Sequence, residues 1–166
     1  AYAAKTLGVS AKVVMHRGAN AARIAKCRAF GAEIILVDDM AQAFPTMEEI
    51  AATEDRSIIH PFEGQATMQG TGTVGLEIAE SPTDLDAEVV TIGGGGLIAG
   101  VGAALKALQP SLTLYGVEPT GASGMSQSLS RGRFLDKVEV NTIADSMGAP
   151  LHCAESFAVC QQVVDE

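Results

Sequence analysis

Apolar positions follow two rhythms along this chain, and the switches between them mark its elements. Ala11 to Met15 and Glu33–Val37 are short apolar runs that read as strands. Between them Ala21, Ile24, Ala25 and Cys27 share one face of a helix that Asn20 opens and Phe30-Gly31 closes. Pro45 is expected to break the next helical stretch, and Thr46-Met47-Glu48-Glu49 has the form of a capping box that restarts it through Glu54. Ser57 to Ile59 reads as a third strand. This β-α-β-α-β order implies parallel strands with right-handed crossovers, a layered α/β unit.

The segment His60-Pro61-Phe62-Glu63-Gly64 breaks that pattern and divides the chain into expected domains 1–62 and 63–166. Gln69 to Ile78 starts a helix whose small residues suit close packing or a ligand contact, with Ser81-Pro82-Thr83-Asp84 as its exit. Then follow a strand over Glu88–Ile92, four glycines, a helix from Leu97 to Leu108, Pro110 as a stop and a strand over Leu112–Val117. Phe157, Cys160, Val163 and Val164 share a helical face near the last residue, and Ala1 to Leu7 reads as a helix closed by Gly8 without an N-cap. Both ends therefore read as cuts through a longer protein, leaving two parallel-sheet units that are each incomplete.

Composition narrows the class. The 166 residues are 47% hydrophobic with 18 glycines and no tryptophan, a globular composition. A net charge of −9 argues against nucleic acid as a partner, although the sequence through Ala32 carries six bases and no acid. No apolar run approaches the roughly 20 residues of a membrane span. With no basic-then-apolar leader pattern, the cytoplasm is the expected compartment. Cys27, Cys153 and Cys160 lack metal-like spacing and read as free thiols in a reducing environment.

The candidate chemistry lies at Gly93-Gly94-Gly95-Gly96. A β-branched run breaking into four glycines and then an apolar helix can turn backbone N–H groups toward one point, where the helix dipole adds a positive end. An anion, a phosphate above all, is the natural guest. A Walker A loop requires a lysine after Gly100, where Val101 stands, so nucleoside-triphosphate chemistry is set aside. A dinucleotide fingerprint, Gly94-x-Gly96-x-x-Ala99 with Glu118 as the ribose-binding acid, remains as a nicotinamide-dependent alternative. His16, His60 and His152 have no ligand spacing and read as packed or surface residues.

Taken together, His60-Pro61-Phe62, Gly70-Thr71-Gly72-Thr73-Val74-Gly75-Leu76-Glu77-Ile78, the stretch Val89–Gly100, Val117-Glu118-Pro119 and Thr142-Ile143-Ala144-Asp145 resemble the fold-type II pyridoxal-phosphate enzymes of the threonine/serine dehydratase and serine racemase kind. The resemblance covers nearly the whole chain. It implies a tryptophan-synthase-β-like fold with the pyridoxal 5'-phosphate phosphate on Gly93, Gly94, Gly95, Gly96 and the Leu97 amide. It also implies a small amino-acid substrate, elimination of ammonia from serine, threonine or a related 3-hydroxy amino acid (or racemisation by the same fold), and a homodimeric parent. Some relatives hold a divalent cation, Mg²⁺ or Ca²⁺, at positions that here are Glu118, the Ala122 carbonyl and Gly124, so the third, acidic ligand is missing. The family's Schiff-base lysine and carboxylate-binding loop would precede Ala1, and its pyridine-nitrogen partner would follow Glu166. Lys26-Cys27-Arg28 imitates the lysine motif but falls inside an amphipathic helix. No catalytic residue is therefore expected within this stretch, and by itself it is expected to be inactive.

Overall fold

The β-α-β passages over Ala11–Val37 and across the glycine run each close into a pair of parallel strands, whereas the one expected to end at Ser57 to Ile59 does not. The computed structural model describes residues 1–81 and 85–166, and these divide into two units, Ala1–Ile58 and Ile59–Glu166. The helix exit expected over 82–84 lies outside the described residues.

In the first unit β1 (Lys12–His16) lies parallel to β2 (Glu33–Val37) with Val14 opposite Ile35. Helix α1 (Tyr2–Leu7) ends at Gly8, whose φ of 68° is the left-handed closure expected of glycine. Helix α2 (Ala21–Ala29) crosses between the strands, and the Asn20 side chain accepts from the Ala22 N–H. Helix α3 (Ala43–Glu54) corrects the reading of Pro45: the proline sits in its first turn, where the missing N–H has no intrahelical partner to lose. Ser57 to Ile59 forms no strand, because among the described residues β1 and β2 pair only with each other and offer it no ladder. Lys12 bridges Glu54 (2.5 Å) and Glu33 (3.4 Å), Arg56 donates to Glu54 (2.7 Å), and Arg17 pairs with Asp38 (2.6 Å).

In the second unit α4 (Gln65–Ala79), β3 (Ala87–Thr91), α5 (Gly96–Leu108), β4 (Thr113–Val117), α6 (Gly124–Arg131) and α7 (Ala154–Val163) enclose a continuous apolar core. Strands β3 and β4 are parallel, with Val90 opposite Gly116. Ile98, Val101, Leu105, Leu112, Leu114, Met125 and Cys160 are fully buried, each large apolar side chain contributing about 1.5–3 kcal/mol. The small residues of α4 serve close packing on α5: a Cβ on Gly75 would stand 2.6 Å from the Val101 carbonyl oxygen. Residues 165–166 lie along β4, where Asp165 N donates to Leu114 O and Gly116 N to Glu166 O. No helix among the described residues is long and apolar enough to cross a membrane.

Candidate functional site

The site is built on the passage from β3 into α5. Ile92 N makes a last sheet bond to Val117 O (2.8 Å), and the chain then turns through Gly93, Gly94 and Gly95 into the first residue of α5, Gly96. Gly95 has φ +101°, a conformation L side chains rarely adopt. Its neighbours are glycines for a second reason, which is Phe62. A Cβ on Gly94 would enter the Phe62 ring, and one on Gly96 would lie 2.5 Å from the Phe62 carbonyl oxygen. Phe62 is set by His60, whose Nδ1 accepts from the Phe62 and Glu63 amides (3.3 and 2.9 Å) and whose ring meets Phe62 edge-on at 4.6 Å. His60 thus organises the floor of the loop.

Two of the loop's carbonyls, those of Gly95 and Gly96, have donors. Gly95 O accepts from Ala99 N (2.9 Å) and, at longer range, from the Cys160 thiol (3.8 Å), while Gly96 O accepts from Thr71 Oγ1 (2.8 Å). Ser156 Oγ lies 3.4 Å from Gly94 O. A trans peptide sets its C=O and N–H in opposite directions, so tying the Gly95 and Gly96 carbonyls to α4, α5 and α7 turns the amides of Gly96 and Leu97 to the other side. Among the described residues none of the amides from Gly93 to Leu97 donates to a carbonyl or side chain of the chain. Unspent donors at the positive end of a 13-residue helix are suited to an anion.

Two carboxylates hold the surrounding helices in the same way. Glu63 accepts from Glu155 N (2.8 Å), Ser156 N (3.1 Å) and Ser156 Oγ (2.6 Å) at the start of α7. Glu118 accepts from Met125 N (2.8 Å), Ser126 N (2.8 Å) and Ser126 Oγ (2.6 Å) at the start of α6. In each case the carboxylate takes the N–H groups of the second and third helical residues and the serine hydroxyl of the third, replacing a local N-cap. Glu118 therefore spends both oxygens on α6, and this is where the dinucleotide alternative loses its ribose acid. Ala122 ends a short 3₁₀ turn, Thr120–Ala122, and is buried; Gly124 abuts the imidazole of His152, so that a Cβ there would strike Nε2. Among the described residues no group of three or more His, Cys, Asp or Glu side chains could hold a metal ion.

Sequence reasoning singled out the glycines and Glu118, but it missed Glu63, His60 and His152 as parts of the same structure. The Glu63–Ser156 bond joins residues 93 apart in sequence, a separation no local pattern reports. Burial and the neighbouring Glu63 push the Cys153 thiol up to about 11, and burial with Glu118 and Glu63 pushes Cys160 up to about 12, so neither is a ready nucleophile. In the first unit His16 Nδ1 accepts from Gly18 N and Nε2 bonds the Asp38 carbonyl. Both of its nitrogens are thus used structurally.

Parallel strands joined through a glycine turn and a helix N-terminus whose amides have no protein acceptor among the described residues define an α/β architecture. The chain belongs to the family described as pyridoxal-phosphate dependent enzymes, whose profile matches residues 1–166. It is 45% identical over 165 residues to the phenylserine dehydratase of Ralstonia pickettii, covering 99% of this chain and 51% of that protein. Against a catabolic L-threonine dehydratase of Staphylococcus aureus it is 34% identical over 167 residues, covering 100% and 48%. The structure of maize serine racemase superposes with a TM-score of 0.91 at 33% identity, over 99% of this chain and 50% of that one. The fold is thus that of the fold-type II pyridoxal-phosphate enzymes, and the chain spans about half the length of the curated relatives it matches.

Proposed function

We propose that the complete protein is a pyridoxal-phosphate-dependent ammonia-lyase acting on serine, threonine or a related 3-hydroxy amino acid, with Gly93, Gly94, Gly95, Gly96 and the Leu97 amide holding the cofactor's phosphate. The observation that carries this reading is the loop itself: amides free of protein acceptors at the head of α5, with their carbonyls tied down behind them. Likeness to two dehydratases along the whole chain supports the reaction class. When bound, pyridoxal phosphate supplies the electron sink through which an amino acid loses its Cα proton and then its β-hydroxyl. This chain's part is to fix the phosphate and exclude water from its underside. Phe62 packs against Gly94 and Gly96, and Ile98 and Ala99 are wholly buried. Residues 1–62 would then be a portion of the small domain and 63–166 a portion of the large one. The three free thiols suit a reducing, cytoplasmic setting.

The donor set does not fit a divalent cation. Glu118 has both oxygens engaged, position 124 has no side chain and an imidazole stands where one would go, so the proposal passes no step through a metal. A racemase reading rests on the fold likeness to the maize enzyme and differs only in product. Incubating the complete protein and pyridoxal phosphate with L-serine, L-threonine and phenylserine separates the two. The proposal expects ammonia and a 2-oxo acid in equal amounts. Inverted amino acid with no ammonia would favour the racemase, and no turnover of any of the three would reject the substrate class.

A further inference from the structure

Helix α4 carries two threonines one turn apart, and both hydroxyls reach out of the helix. Thr67 Oγ1 donates to His60 O (3.0 Å), on the segment that seats Phe62, and Thr71 Oγ1 donates to Gly96 O (2.8 Å), at the first residue of α5. Residues at i and i+4 share a helix face, so one face of α4 grips both sides of the contact between Phe62 and Gly96. A helical threonine ordinarily turns its hydroxyl back on its own helix. Thr71 has such acceptors, Thr67 O and Met68 O, but each lies at 3.2 Å, and its single proton is better placed on Gly96 O. The reach across is possible because a glycine faces it: a Cβ on Gly100 would strike Thr71 Oγ1.

We propose that Thr71 is a positioning residue for the cofactor's phosphate, holding the Gly96 carbonyl from α4 and so aiming the Leu97 N–H of the same peptide plane at the anion. The inference rests on the phosphate-anchor reading above. C=O and N–H point opposite ways across the planar Gly96–Leu97 bond, so a donor behind the carbonyl restrains the amide in front. Among the described residues the Leu97 amide donates to no protein acceptor. Thr71 is also the side chain that holds a loop carbonyl most closely: Ser156 Oγ stands 3.4 Å from Gly94 O with its proton engaged by Glu63 at 2.6 Å, and the Cys160 thiol stands 3.8 Å from Gly95 O. Gly93 to Gly96 have no side chains of their own to restrain the backbone, and any freedom left there must be lost when the phosphate binds. Thr71 removes part of that freedom before the ligand arrives.

The test compares Thr71→Val, which keeps the shape without a donor, with Thr71→Ser, which keeps the donor. Thr71→Ala replaces the Val variant if that one fails to fold. Thr73→Val is the control, because that exposed hydroxyl turns back on Gly70 O (2.7 Å) within α4. Each is made in the complete protein and titrated with pyridoxal phosphate, and the ³¹P shift of the bound cofactor is recorded beside the urea midpoint. The donor-free variant should bind pyridoxal phosphate about fivefold more weakly with a displaced ³¹P resonance, whereas Thr71→Ser and Thr73→Val should stay within about twofold of wild type with the resonance unmoved. A donor-free variant that loses only stability, with wild-type affinity and shift, overturns the proposal, as does an equal loss of affinity in Thr71→Ser or Thr73→Val. Gly95→Val separates this inference from the reading it rests on. Normal binding in both Gly95→Val and the donor-free variant rejects the phosphate anchor itself; a loss in Gly95→Val alone rejects only the role of Thr71.

Discussion

The two units share a β-α-β grammar but are held together differently. The first buries only Ala32, Val37 and Ala43 among its described apolar residues, and none in α1 or α2; its cross-links are exposed ion pairs around Lys12, Arg17, Glu54 and Arg56. In the second, twelve buried residues form one cluster, and the glycine loop rests on it through Met125 and Cys160. Exposed pairs contribute little and vary with salt, whereas close-packed backbone tolerates no added atom. The contrast locates the precise geometry in the unit that carries the loop, and makes the two units differ in what perturbs them.

The largest expected effect sets one glycine against another. Gly96→Val drives a branched side chain into the Phe62 backbone and should lower the stability of the complete protein by about 3 kcal/mol in urea unfolding. Gly31→Val in the first unit meets no atom within 4 Å and bears only the strain of φ +84°, so about 1–2 kcal/mol is expected. Equal losses at the two positions would erase the distinction between the units. Next come the carboxylate caps: Glu63→Gln and Glu118→Gln should each cost about 1–2 kcal/mol, similar because the two helix starts are bonded alike. A thermal melt of the two variants sharpens the point, and a much larger loss for one would break the equivalence.

Thiol chemistry gives a subtler contrast. With Cys153 near 11 and Cys160 near 12, about one part in a thousand or less of either is thiolate at pH 8, so iodoacetamide should label Cys27 of the first unit ahead of both. Peptide mapping over time shows the order, and early labelling of Cys160 would contradict its burial. The smallest effect belongs to the ion pairs. Arg17 holds Asp38 below its ordinary pKa, and Lys12 with Arg56 does the same for Glu54. Groups with lowered folded values stabilise fully above their ordinary values of 3.8 and 4.5 and lose that contribution as pH falls below them. Deuterium uptake in β1 and β2 should rise slightly at pH 3.5 relative to pH 6 and respond to added salt at pH 6. No change in either would show that the pairs contribute nothing measurable.

What was legible in the sequence follows the range of the interactions. Strand β2 has the expected bounds because Ile34, Ile35 and Leu36 are an uninterrupted apolar run, and β3, β4 and α5 fall within a residue of expectation because glycine and proline punctuate them. Helix α4 begins four residues before the expected Gln69, since Gln65-Ala66-Thr67-Met68 gives one apolar anchor and no side-chain cap. Helix α6 was not visible at all: Gly124 and three serines in eight residues mask the pairing of Met125 with Leu129, and its cap is the distant Glu118. The glycine run is legible as a strand-to-helix turn, yet what forbids a side chain at Gly94 and Gly96 is Phe62, some thirty residues earlier. Local pattern reports turns and faces; it does not report what fills the space a missing side chain leaves.

A structure of the complete protein with pyridoxal 5'-phosphate bound tests the central claim most directly. The account predicts phosphate oxygens at about 2.7–3.2 Å from amides between Gly93 and Leu97, with the Gly96 carbonyl still held by Thr71 Oγ1. A phosphate anchored by other residues, with these amides facing solvent, would contradict it.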